Sequence, residues 1–179
     1  MEYKVYVNNI TLLLKQGDIT KETTDAIVNA ANEQLYHLGG VAAAIAQAAG
    51  EQFWIESNTI KHVPTGSSAV TTGGNLPAKY VIHGVGPIWK GGNEKEEELL
   101  TSVIQDCLIK ADTLQLISIA FPAISTGIYG YPLDLAAKTI INTIKQYTIK
   151  LQHIKHIHLV LFSTKDFNEF VSNAKSLLE

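Results

Sequence analysis

The stretch NAANEQLYHLGGVAAAIAQAAG, residues 29–50, decides how this chain is read. The glycine pair Gly39-Gly40 leads into Val41–Ala49, a run whose only polar side chain is Gln47, and Gly50 closes it. An alanine-rich helix is expected there. Helices usually begin at Ser, Thr, Asp or Asn, whose side chains take up the first free N–H groups. Glycine offers no such group, but it lets a ligand approach the backbone closely. A helix N-terminus carries unsatisfied N–H donors and partial positive charge, which suit an anion such as phosphate. The expected cap is therefore a ligand; the competing reading is ordinary glycine turn chemistry.

Outward from this stretch, short apolar strands alternate with helical patterns. Residues 3–16 read as two strands joined at Asn8-Asn9, and Ala26-Ile27-Val28 as a short buried strand. A helix over about Val41–Ala49 is followed by one or two helical turns within 51–63. Strands follow at Ser68–Thr72 and Lys79–Val85. Residues 93–114 form the clearest helix, with Leu99, Leu100, Val103, Ile104, Cys107, Leu108, Ala111 and Leu114 at helical spacing. Ile117–Pro122 is a strand and 133–148 a helix, with Leu135, Ala136, Ile140, Ile144 and Tyr147 as its inner face. His156–Phe162 and Lys165–Leu178 close the chain as strand and helix. Apolar strands with helical crossovers imply an α/β protein with a largely parallel sheet covered on both faces. Ligands of such sheets bind beyond the carboxyl ends of the strands. The loops after the Ala26 and Ile117 strands, 29–41 and 123–130, hold that position.

Composition narrows the chemistry. The chain has 179 residues, 46% hydrophobic and 17% charged, which fits one globular domain over 1–179. Its net charge is −3, and all 14 basic residues are lysines. Without arginine's planar fork, a phosphate site must use backbone amides, helix ends or lysine. The acidic balance argues against a broad nucleic-acid surface. A single cysteine, Cys107, excludes a disulfide framework and is read as a packing residue. The charged N-terminus and the lack of a long apolar run lead to the expectation of a cytoplasmic protein with no membrane partner. His153, His156 and His158 lack a third ligand at metal spacing, so no metal is expected. The run Glu94–Glu98 is read as a solvated helix start.

The second loop strengthens the phosphate reading. Ser125-Thr126-Gly127-Ile128-Tyr129-Gly130 also joins a strand to a helix, and its small residues free amides to point inward as a nest. Two amide-rich loops at neighbouring strand ends suit a diphosphate. Neither a G-K-[ST] phosphate loop nor a G-x-G-x-x-G fingerprint is present.

The sequence resembles the macrodomain family of ADP-ribose-binding modules, which implies an α/β fold: a three-layer α/β/α sandwich around a mixed, mostly parallel central sheet. The resemblance rests on GDIT (17–20), DAIVNAAN (25–32), GGVAAAIAQAAG (39–50), YVIHGVGPIW (80–89) and PAISTGIYGYP (122–132), in the family's order and spacing. It implies that Asp18 accepts a hydrogen bond from the adenine amine and that Ile19 lines the adenine pocket; a turn-capping role is the alternative for Asp18. Asn32 would bind the distal ribose, its amide both donating and accepting, while Asn29 fixes the loop's own backbone. Gly39, Gly40, Val41 and Ala42 would hold one phosphate. Ser125, Thr126, Gly127, Ile128 and Tyr129 would wrap the other phosphate and the distal ribose, with the Tyr129 ring beside the sugar. Phe162 would pack on adenine, or else be a core aromatic. His83 is expected to be a packing residue, and His37 to stand near the distal ribose or in solvent.

The pattern departs from the family at Leu38, where many members have a further glycine, and at Ala42-Ala43, where hydrolytic branches often carry an acid. The resemblance implies a reader of mono-ADP-ribose, free or on protein, with at most weak turnover. The alternative it leaves open is a hydrolase of ester-linked ADP-ribose on acidic side chains, or of ADP-ribose derivatives. There, water oriented by Asn32 as the catalytic residue would be assisted by a substrate phosphate. No cofactor is implied; ADP-ribose and ADP-ribosylated proteins are the expected partners.

Overall fold

Strand order places the two loops. The computed structural model describes residues 1–179 and contains a single seven-stranded sheet. Its strands are β1 (Glu2–Val7), β2 (Ile10–Gln16), β3 (Ala26–Ala31), β4 (Ser68–Thr72), β5 (Tyr80–Val85), β6 (Ser118–Phe121) and β7 (His156–Leu161). They lie in the order β1-β2-β7-β6-β3-β5-β4. The five central strands run parallel, and the edges β1 and β4 pair antiparallel with β2 and β5. The helices are α1 (Gly40–Ala49), α2 (Glu51–Ile60), α3 (Glu96–Thr113), α4 (Leu133–Tyr147) and α5 (Thr164–Leu178).

Alternation along the strands sorts the core into two sides. In β3, Ala26 and Val28 join the larger cluster beneath α3, α4 and α5, while Ile27 joins the smaller one beneath α1 and α2. Period-two alternation on a strand covered on both faces gives three layers. Helix α1 packs on β3 through Ala42, Ile45, Ala46 and Ala49, an i, i+3, i+4, i+7 stripe whose short side chains let the helix lie close to the sheet. Gly50, at φ 86°, ends α1 and starts α2, a bend that needs glycine.

The sandwich, the mixed sheet and the order of elements agree with the sequence reading; several particulars differ. Strand β3 runs on to Ala31, because Asn29 and Ala30 keep pairing with β5 although the apolar run has ended. Leu135 and Leu114 face solvent instead of the core. On α4 the buried stripe is Ala136, Ala137, Ile140, Ile141 and Ile144, lined by Thr139 and Thr143, so the inner face is rotated away from Leu135. Leu114 lies one residue past the end of α3. No helix is long and apolar enough to cross a membrane.

Candidate functional site

The chain leaves β3 towards β5 and leaves β6 towards β7, although β3 and β6 are neighbours. Their outgoing loops therefore diverge, and a crevice opens between them at the carboxyl ends of the strands. Every sequence-predicted site residue comes from a segment that follows β2, β3, β6 or β7.

The glycine loop presents bare amides. Gly39 is the residue before α1 and makes no side-chain cap. Gly40 has φ 58°, the left-handed region that favours glycine, and a Cβ there would meet nothing within 4 Å. The N–H groups of Gly40, Val41 and Ala42 make no hydrogen bond within the protein; the first bond of the helix is Ala43 N to Gly39 O at 3.3 Å. The opposing loop is folded by its own turns. Thr126 N and Oγ1 donate to Ala123 O, Gly130 N to Gly127 O and Tyr131 N to Ser125 O. That leaves the amides of Ser125, Gly127, Ile128 and Tyr129 without protein acceptors. Ser125 adopts φ 69° and its buried Oγ has no partner, two local costs held by the surrounding fold. The loops approach each other closely: a Cβ on Gly39 would stand 3.7 Å from Ile128 Cδ1. Ile128 is 90% exposed, so its side chain lies over the crevice instead of filling a core.

The ends of β2 and β7 form the other extremity. Gly17 N donates to Leu161 O, and Gln16 Nε2 to Phe162 O at 3.5 Å, which ties the two strand ends together. Phe162 is 84% exposed, so the core-aromatic alternative is excluded. Asp18 does cap the short 3-10 turn Ile19–Lys21: its Oδ1 accepts from Thr20 N at 2.9 Å and Thr20 Oγ1 at 2.7 Å. Both of those bonds use one carboxylate oxygen, and Oδ2 takes no protein donor. Ile19 is buried in the smaller core cluster, while its amide makes no protein hydrogen bond. The structure thus brings together an exposed aromatic, a free carboxylate oxygen and a free N–H at one end of the crevice.

The two asparagines take different places, and one of them departs from expectation. Asn32 clamps its own loop: Oδ1 accepts from Tyr36 N at 2.9 Å and Nδ2 donates to Tyr36 O at 2.8 Å. Asn29, expected to fix the loop backbone, instead lies fully buried between two histidines. Its Nδ2 faces His37 Nδ1 at 3.3 Å and His83 Nδ1 at 3.2 Å. His37 is buried too, neither in solvent nor in the crevice, with Phe53 and Trp54 around its ring. Since Asn29 Nδ2 is a donor, both Nδ1 atoms must accept, which fixes both rings as neutral Nε2–H tautomers. His37 Nε2 then donates to Ser57 Oγ at 3.1 Å and His83 Nε2 to Thr71 Oγ1 at 2.9 Å. Burial lowers His37 to about 4 and His83 to about 3, the latter with a contribution from His37. Sequence reasoning missed Ser57 and Thr71, the hydroxyls that complete this network; one lies in a helix and the other in a strand, and no local spacing connects them.

Two further readings are settled by the geometry. Glu96 is not solvated: it is buried, and its carboxylate accepts from the backbone N–H of Lys90, Gly92 and Glu94. Burial pushes that carboxyl up, but the amide donors outweigh it and hold it below the usual range. Cys107 is fully buried, and burial pushes its thiol up to about 12. Of the late histidines, His158 pairs with the buried Glu22 at 2.7 Å while His156 is exposed on the same strand.

The comparisons with known proteins agree with this geometry. The family model for the Macro domain matches residues 28–140. A protein of Caldanaerobacter subterraneus named as macro domain-containing is 44% identical over 161 residues, covering 88% of this chain and 91% of that one. An uncharacterised Thermotoga maritima protein is 47% identical over 163 residues, but that match spans 86% of this chain and only 27% of the longer relative. The solved Oceanobacillus iheyensis macrodomain with ADP superposes with a TM-score of 0.95 at 38% identity, covering 99% of this chain and 97% of its own. A variant of that protein, solved with ADPR, gives the same TM-score. A family model over most of the chain, a relative matched along nearly its whole length and a shared three-layer fold lead to one conclusion: this protein belongs to the macro domain family.

Proposed function

We propose that the protein binds ADP-ribose, free or attached to protein, in the crevice above β2, β7, β6 and β3. One observation carries this reading: the amides of Gly40, Val41 and Ala42 are unpaired, and so are those of Ser125, Gly127, Ile128 and Tyr129 in the loop whose Ile128 Cδ1 would lie 3.7 Å from a Cβ on Gly39. Unpaired N–H groups at a helix start and in a nest match the acceptor oxygens of a pyrophosphate. With no arginine in the chain, these donors are the available bidentate-like contacts. The Asp18, Ile19 and Phe162 end matches adenine, whose amine donates, whose ring nitrogens accept and whose face stacks. The structural relatives solved with ADP and ADPR support the same assignment.

Within this pocket the protein acts as a reader of mono-ADP-ribose with slow turnover at most. Ala42 and Ala43 follow Val41, so no carboxylate stands beside the helix start to act as acid or base, an aid worth ~10²–10⁴-fold where present. The second reading, hydrolysis of ester-linked ADP-ribose, rests on Asn32. Its Oδ1 and Nδ2 each keep capacity for one bond beyond those to Tyr36, enough to orient a water near the distal ribose. Incubation with protein mono-ADP-ribosylated on acidic side chains separates the two: label retained on the macro domain without release supports the reader, and release at a useful rate supports the hydrolase. No calorimetric heat with ADP-ribose would overturn both.

A further inference from the structure

ADP-ribose has a direction, and so does the crevice. If adenine lies at the β2 and β7 end, the anomeric carbon of the distal ribose points past β3 towards β5. That carbon is where a protein acceptor is attached. Beyond it lies a groove of about 460 Å³ whose lining includes Tyr129 of the ligand loop. Its walls come from the segments that leave β3 (Glu33), β5 (Ile88, Lys90) and β6 (Tyr129), together with Thr65 and Glu94. Glu33 directly follows Asn32 in the chain, and Tyr129 belongs to both sites. Trp89 N donates to Tyr129 O at 2.8 Å, which ties the segment after β5 to the ligand loop.

Resting on the proposed function, the geometry points to this groove as the seat of the acceptor polypeptide, with a preference for acceptors flanked by basic residues. Glu33 is a fixed charge. Thr65 Oγ1 and N donate to its Oε1 at 2.9 and 3.2 Å, and these bonds hold its carboxyl below the usual range, so it is ionised at neutral pH. Its Oε2 has His62 at 3.7 Å as its only partner. Glu94 adds a second exposed carboxylate with no side-chain partner, against one cation, Lys90. The mouth is therefore net negative, while the amide crevice beside it is built for an anion. A polypeptide that brings a phosphate-bearing adduct and lysine or arginine neighbours satisfies both.

The test compares two synthetic peptides carrying ADP-ribose at one site, identical except for lysine or glutamate flanks, with free ADP-ribose as reference. At low salt the lysine-flanked peptide is expected to bind about five-fold tighter than the glutamate-flanked one, the scale of a part-exposed ion pair, and the gap should narrow in 0.5 M salt. Glu33→Gln and Glu94→Lys, separately, should shrink or reverse the preference and leave affinity for free ADP-ribose unchanged. The second variant removes no hydrogen bond, so it guards against a loop disturbed by the first. Equal affinities for the two peptides in the wild-type protein, with free ADP-ribose still bound, would overturn the groove alone. Failure of free ADP-ribose to bind would overturn the proposed function on which it rests.

Discussion

Under the proposed function Asp18 has two roles, one in its own turn and one toward adenine. One carboxylate oxygen holds the 3-10 turn through Thr20, and the other takes no protein donor. Asp18→Asn keeps an oxygen for Thr20 but can present N–H where the adenine amine also donates. It is expected to weaken ADP-ribose binding by ~1.5–3 kcal/mol, the range for a hydrogen bond to a charged group, with little change in melting temperature. Calorimetry showing unaltered affinity would contradict the assignment. Residues of this kind were legible because a short motif places them at a strand end. Phe162 was legible as either of two things, and its 84% exposure excludes the core reading. Asn29 and His37 were misjudged because their partners, Ser57, Thr71 and His83, arrive from other elements, and a loop histidine in sequence carries no mark of burial. Glu96 was hidden in the same way, since a run of acids near a helix start reads as a solvated surface until the preceding turn folds back on it.

At the scale of the element, the start of α1 is the feature that matters. Gly40 has φ 58° with open space at its Cβ position, whereas Gly39 has φ −163°, extended backbone that any residue adopts. The two glycines therefore separate backbone strain from ligand access. Gly40→Ala is expected to lower stability by ~1–2 kcal/mol, the left-handed penalty for an L residue, and Gly39→Ala by much less, as measured by urea unfolding. Equal losses would mean that the φ of Gly40 is not the constraint. Gly40→Glu should also abolish ADP-ribose binding by adding negative charge at the phosphate position, while the circular dichroism spectrum stays native. The strands and helices themselves were legible, since the alternation and 3.6-residue periods are strong in this chain. Their exact ends were not: polar Asn29 ends the apolar run of β3 at Val28, three residues before the strand pairing ends at Ala31. Sheet order was beyond the sequence altogether, because it depends on which crossovers pack on which face.

Across the whole molecule, the buried histidine pair ties stability to pH. Both rings must be neutral to accept from Asn29, and their folded values, about 4 and about 3, lie below the ~6.5 of an exposed histidine. Below neutral pH the unfolded chain therefore binds protons that the folded chain refuses. Stability is complete above about pH 7.5 and falls as pH drops towards the folded values, by up to ~1.4 kcal/mol per pH unit for each histidine. The lowered carboxyls of Glu22, Glu33, Glu56, Glu96, Asp106 and Asp112 act with the same sign, but from starting values of 4.5 or 3.8, so the interval from pH 7 to 5 belongs to the histidines. Urea unfolding at pH 7, 6 and 5 should show this slope in the wild-type protein, and it should flatten in a His37→Gln, His83→Gln double variant. An unchanged slope would mean that the pair is not what titrates. The account as a whole, however, stands on peptide N–H groups gripping a pyrophosphate, and amide nuclear magnetic resonance reads those groups directly. On titration with ADP-ribose, the largest downfield proton shifts are expected at Gly40, Val41, Gly127, Ile128 and Tyr129, little altered by added salt. If those amides stay still while signals elsewhere move, the crevice between the two loops is not where the pyrophosphate binds.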